Sequence, residues 1–182
     1  MRFAALVLIL LVSAPLSAAA GTARVRAADG RTATILHDGL TRSSTVRTLV
    51  NEIEQSDLIV YLEIQWNLPR GLAGNLAWVA ATRSSRYLRI SLSPELTTDA
   101  MVATLAHELQ HAVEIAREAS IVSSVTMVRY YERNGLDANS HWSGLDTLAA
   151  REAGDEVRRE LGQQKLQRTA KVSQHAAVTV RS

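Results

Sequence analysis

From Ala100 to about Arg117 the chain contains neither Gly nor Pro and carries apolar side chains on every side: Val102, Leu105, Ala106, Leu109, Ala112, Val113 and Ala116. A helix that is apolar all round has no face to give to water, so this one must be buried. Thr97 or Thr98 is positioned to cap it, and Asp99 suits the positive end of its dipole. Everything else in the sequence has to be arranged around this helix.

The flanking patterns supply the cover. Val46, Leu49, Val50 and Ile53 recur at the spacing that lines one helix face, with Ser43 or Ser44 as the cap. Leu58, Val60, Leu62 and Ile64 alternate with Ile59, Tyr61 and Glu63, the period of a strand with one buried face. Pro69, Gly71 and Gly74 mark a turn. Leu76 to Ala81 and Tyr87 to Leu92 then read as a hairpin joined through Thr82-Arg83-Ser84-Ser85-Arg86, with Leu88, Ile90 and Leu92 pointing inward. After the buried helix come a short helix over Val125 to Tyr131, a turn at Asn134-Gly135, and a last helix from about Leu145 to Leu161. The expectation is an α+β fold: an N-terminal helix, a small three-stranded mixed sheet, the buried helix, then C-terminal helices.

The first 20 residues have the layout of a secretory signal, with Arg2, an apolar run from Phe3 to Val12, Pro15, and small residues Ala18-Ala19-Ala20 before Gly21. That run is shorter than the roughly 20 residues a membrane span needs, so export to the periplasm or the medium is expected, without stable membrane insertion after cleavage. Residues 21–163 form one domain, opening on a polar, Ala-rich lead to about Asp38, and 164–182 read as a disordered polar and basic tail. The chain has no cysteine. Disulfides and thiolate metal sites are thereby excluded, and any metal must use His, Asp or Glu. Basic and acidic residues number 20 and 18, a balance that offers no surface for nucleic acid.

The buried helix carries His107-Glu108-Leu109-Gln110-His111. Residues four apart share a helix face about 6 Å apart, so the two imidazoles can hold one zinc ion. Glu108 then lies beside the metal, placed to take a proton from zinc-bound water, whose pKa falls to about 7. A pair of core histidines with ordinary partners is the competing reading. Against it stands the cost of burying two His and a Glu within one turn of an Ala, Leu and Val helix, unless something satisfies all three. A carboxylate-bridged di-iron site would need a second Glu-x-x-His, which the sequence lacks.

Catalytic zinc usually takes a third protein ligand. Asp146 shares a helical face with Ala149, Ala150, Ala153 and Val157, which would let the last helix approach closely. Glu152 falls among Asp155, Glu156 and Arg159, a solvated charged face. Asp155, Glu156 and His141 are the other candidates. Asp146 is preferred.

The pentad and Asp146-Thr147-Leu148-Ala149-Ala150 resemble the gluzincin group of zincins, small secreted bacterial-type zinc metallopeptidases in which a Glu opening a later helix is the third ligand. Here Asp replaces it. The resemblance implies a Zn2+ cofactor on His107, His111 and Asp146, with Glu108 as general base acting on a peptide or protein substrate. It also implies that Tyr87 to Leu92 is the edge strand that pairs with extended substrate, and that Tyr130, Tyr131 or His141 lies where zincins keep an oxyanion donor. An exported zincin-fold binding protein without peptidase activity is the alternative. His37 and His175 are expected in mobile polar segments without a specific role, and Trp66, Trp78 and Trp142 in the core.

Overall fold

The computed structural model describes residues 23–136 and 146–179, with side chains as far as Lys171. The elements run β1 (Val25–Ala27), α1 (Gly30–Arg42), α2 (Ser44–Glu54), β2 (Leu58–Ile64), β3 (Gly74–Ala81), β4 (Arg86–Leu92), α3 (Thr98–Arg117), α4 (Ser124–Asn134) and α5 (Leu148–Thr179). The fold is α+β. Its sheet is mixed and has four strands rather than three, in the order β1-β2-β4-β3, with β1, β2 and β4 parallel and β3 antiparallel to β4.

Helix α3 is the centre of the molecule. Met101, Val102, Leu105, Leu109, Ala112 and Ile115 are buried on different sides of it, because strands β2 to β4 cover one side and α1, α2 and α5 the others. Thr97 caps its first turn by accepting from the Ala100 N–H, and Asp99 pairs with Arg42 of α1. Opposite α3, the far face of the sheet is partly exposed, with Ile59 and Ser91 still buried there. Tyr61 and Arg89 lie there, and Glu63 accepts from the Ser91 hydroxyl at 3.0 Å.

The C-terminal end of α3 is closed from the sheet by Arg86, the first residue of β4. Its guanidinium is bidentate to Asp57, and the same group donates to the carbonyls of Ile115, Ala116, Glu118 and Ile121. Ile115 and Ala116 are in the last turn of α3, where carbonyls lack intrahelical partners, and Glu118 and Ile121 belong to the segment that leaves the helix. The arginine in the polar hairpin segment therefore does the work of a helix cap.

Several expectations are corrected. The lead before Asp38 folds as β1 and most of α1, opened by an Asp29–Thr32 capping box. Its buried face is Thr32, Ile35 and Gly39, too polar and small to show as an apolar period. Gly39 is needed there, since a Cβ would stand 3.2 Å from Val46 Cγ1. His37 thus sits exposed on a helix, and Trp66 is 81% exposed rather than buried. Trp78 packs half-buried against the core, while Trp142 lies outside the described residues. Strand β4 is internal and β3 is the edge, because the hairpin folds outward after β4 takes its parallel place beside β2. Gly71, at φ +86°, makes the turn before β3, whereas Gly74 is already in the strand. Finally, α5 continues as helix through the polar segment from Gln164 to Thr179. That segment has no Gly or Pro to stop it, and 165–171 are all exposed. The first 20 residues, with the signal reading, lie outside the described residues. Among the described residues no helix is long and apolar enough to cross a membrane.

Candidate metal centre

Two elements meet at the pentad. Helix α5 packs chiefly on α3; of the small face predicted for it, Ala150, Ala153 and Val157 are buried, with Leu161 beyond them, whereas Ala149 is exposed. Gly154 brings the two backbones together, since a Cβ there would lie 3.4 Å from the Ala103 carbonyl oxygen and 3.6 Å from His107 Cβ. The chain enters α5 through Asp146 and Thr147. Asp146 stands two residues before the first helical residue, not on the helix as the periodicity argument assumed.

His107, His111 and Asp146 each offer one ligand atom, and these atoms all lie within 4.8 Å of one another. Asp146 Oδ1 is 3.4 Å from His107 Nε2 and 3.9 Å from His111 Nε2. Two ligands about 2.1 Å from one ion at a tetrahedral angle would stand about 3.4 Å apart. The decisive detail is Asp146 Oδ1 itself, which is buried and has no hydrogen-bond partner. Its sister oxygen accepts from Arg151 Nε at 2.6 Å. A buried carboxylate oxygen left without a donor is costly, and a cation between it and the two imidazoles satisfies it. The residues present fit a metal ion.

Electrostatics agree with that fit. Burial and the neighbouring His111 hold the His107 pKa below its ordinary 6.5, which keeps the ring neutral and its lone pair available. Burial pushes Glu108 up to about 7, with Asp146 raising it further while His111 and the Leu76 N–H oppose. Glu108 faces the sheet. A Cβ on Gly74 would come 3.1 Å from Glu108 Oε1 and 2.6 Å from Thr104 Cγ2, so only glycine allows the start of edge strand β3 to lie against this carboxylate.

The neighbours of His111 were not foreseen. Its Nδ1 is 2.9 Å from Glu114 Oε2, and Glu114 Oε1 accepts from the Thr147 hydroxyl at 2.6 Å. Burial would raise the Glu114 pKa, but the bonds from His111 and Thr147 hold it below its ordinary value, so it is a carboxylate that only accepts. The Nδ1 of His111 is therefore the donor of that bond, and Nε2 is the ring nitrogen turned to the group. A carboxylate three residues past the second histidine was the signal available in the sequence. Tyr131 is buried, lies edge-on to His111 at 5.2 Å, and donates to the His111 carbonyl at 3.1 Å. Its hydroxyl thus holds α3 and also faces the Glu114 carboxylate. Tyr130 is half-buried beside it, and its ring meets Tyr131 edge-on at 5.1 Å.

Of the other ligand candidates, Glu152 is exposed and lines an open groove with Glu52, Glu156 and Arg159, outside the His107, His111 and Asp146 group. His141 lies outside the described residues. Compared with protein-family models, curated proteins and solved structures, the chain matches none.

Proposed function

We propose that this protein is an exported, zinc-dependent metallohydrolase of the zincin type that cleaves peptide bonds, with His107, His111 and Asp146 as metal ligands and Glu108 as general base. The observation that carries the reading is the partnerless Asp146 Oδ1 facing two imidazole nitrogens, one turn apart, on the helix that also bears Glu108. Zinc is favoured over harder cations because two of three ligands are imidazoles and the set leaves room for a fourth position. When bound there, zinc supplies Lewis acidity and lowers the pKa of water to about 7.

The residues of the chain then divide the remaining work. Glu108, poised near neutrality, takes a proton at its carboxylate and later returns it to the leaving amine. The desolvation that raises its pKa makes it a stronger acceptor than an exposed glutamate would be at the same pH. Strand β3 starts beside Glu108, and among the described residues no strand pairs with its outer edge. Its free backbone groups suit the addition of an extended peptide across the centre, a mode that binds many sequences with little selectivity. The layout of residues 1–20 supports action outside the cytoplasm.

The test uses the purified protein. Metal analysis should give about one zinc per chain, and casein should be hydrolysed until a chelator is added. Glu108→Gln should keep the zinc and lose turnover. Zinc without hydrolysis in the wild type would instead favour a non-catalytic binding protein, and a metal-replete Gln variant that still turns over would overturn the assigned mechanism.

A further inference from the structure

Each ligand of the proposed centre has to be aimed, and His111 is aimed from behind. Its ring is buried, with Nε2 toward Asp146 and Nδ1 on Glu114. Glu114 divides its two oxygens, one for His111 and one for Thr147. Thr147 in turn uses its hydroxyl twice, donating to Glu114 and accepting the Ala150 N–H at 3.1 Å to cap α5. It is also bonded directly, through one peptide, to Asp146. One carboxylate therefore touches both the histidine ligand of α3 and the residue that anchors the aspartate ligand.

We propose that Glu114 is the positioning residue of the metal centre: it selects the His111 tautomer with Nε2 free and, through Thr147, sets where Asp146 stands relative to α3. The proposal rests on the metal-binding reading above. The physical reason is that an imidazole can rotate and can carry its proton on either nitrogen, and a metal needs one orientation and one tautomer. A carboxylate acceptor 2.9 Å from Nδ1, itself held by Thr147, restricts both freedoms before the ion arrives. An ordinary buried ion pair would neutralise charge without any need for the second arm to Thr147.

The experiment measures zinc affinity by competition with a chromophoric chelator, and the His111 tautomer by long-range proton–nitrogen correlation in metal-free protein. Glu114→Gln keeps the volume and should fold as the wild type does, yet bind zinc about 10-fold more weakly; Glu114→Ala should approach 100-fold, the usual span for such partners. In Glu114→Ala the proton should redistribute toward Nε2 of His111, a change that a purely structural role would not produce. Thr147→Ser, which keeps the hydroxyl, should retain wild-type affinity. Wild-type zinc binding with unchanged constants and tautomer in both Glu114 variants overturns the positioning role and leaves the proposed centre standing. Failure of the wild type to bind zinc overturns both.

Discussion

Arg86 gives the sharpest test of how the fold is held around α3. Its side chain is 8% exposed while its partner Asp57 is 44% exposed, so the two ends of the interaction differ in what their removal leaves behind. Replacing Arg86 by Met removes its N–H groups from four backbone carbonyls; those of Ile115 and Glu118 keep the N–H groups of Glu118 and Ile121, so the loss falls chiefly on Ala116 and Ile121. Unsatisfied buried acceptors cost about 1 to 3 kcal/mol each, and breaking a buried charged network about 3 to 5. Arg86→Met should therefore cost about 3 to 5 kcal/mol, lowering Tm by roughly 10 to 15 °C for a domain of this size. Asp57→Asn leaves the carbonyls served but takes the counter-charge from a buried guanidinium, so it should cost about 2 kcal/mol, less than Arg86→Met and more than a surface ion pair. The Arg86 guanidinium holds Asp57 below its ordinary pKa of 3.8. Its contribution is therefore complete above that value and is lost as pH falls below it. Urea unfolding of both variants at pH 7 decides the matter. Equal costs would show that the ion pair dominates and refute the helix-closing role.

The remaining predictions concern the site. Because burial lifts Glu108 from 4.5 to about 7, the folded metal-free protein favours the neutral acid. Its penalty is absent below pH 4.5, grows as pH rises to about 7, and is then constant, on the order of 3 kcal/mol. Urea midpoints measured in chelator across that window should fall in the wild type and stay flatter in Glu108→Gln; parallel slopes would disprove the assignment. Gly74→Ala forces a Cβ to 2.6 Å from Thr104 Cγ2 and should cost about 1 to 3 kcal/mol, much of it recovered by adding Thr104→Ser, which removes that methyl. No recovery in the double variant would locate the clash elsewhere.

The elements that were readable are those whose burial shows as a period. The alternation at Leu58 to Ile64, the cap at Ser43 and the all-round apolar run of α3 appear in the structure where the sequence puts them. Helix α1 escaped because its buried face is Thr32, Ile35 and Gly39, where close packing on Val46 substitutes for hydrophobic bulk. Strand β1 is only three residues long. Which hairpin strand is internal depends on pairing with β2, and no local pattern records that. Asp146 was chosen by a helical-wheel argument, yet it sits before the helix; the small face of α5 was the correct clue, since it lets that helix end arrive at His107.

The polar residues of α3 are where local and global preferences conflict. His107, Glu108, His111 and Glu114 lie within two turns of a helix whose other buried residues are mostly apolar, and such conflicts mark functional positions more often than structural ones. Each has been answered differently. Glu108 is answered by a shifted pKa, His111 by Glu114, and Glu114 by Thr147, while Asp146 Oδ1 stands 3.4 Å from His107 Nε2 and 3.9 Å from His111 Nε2, beyond a good hydrogen bond to either. A fold selected for stability alone would replace this chain of dependencies with leucines at little cost. What sets the site apart is that the sequence of compensations ends at one point, where an acceptor and two nitrogens lie close enough to hold a metal ion.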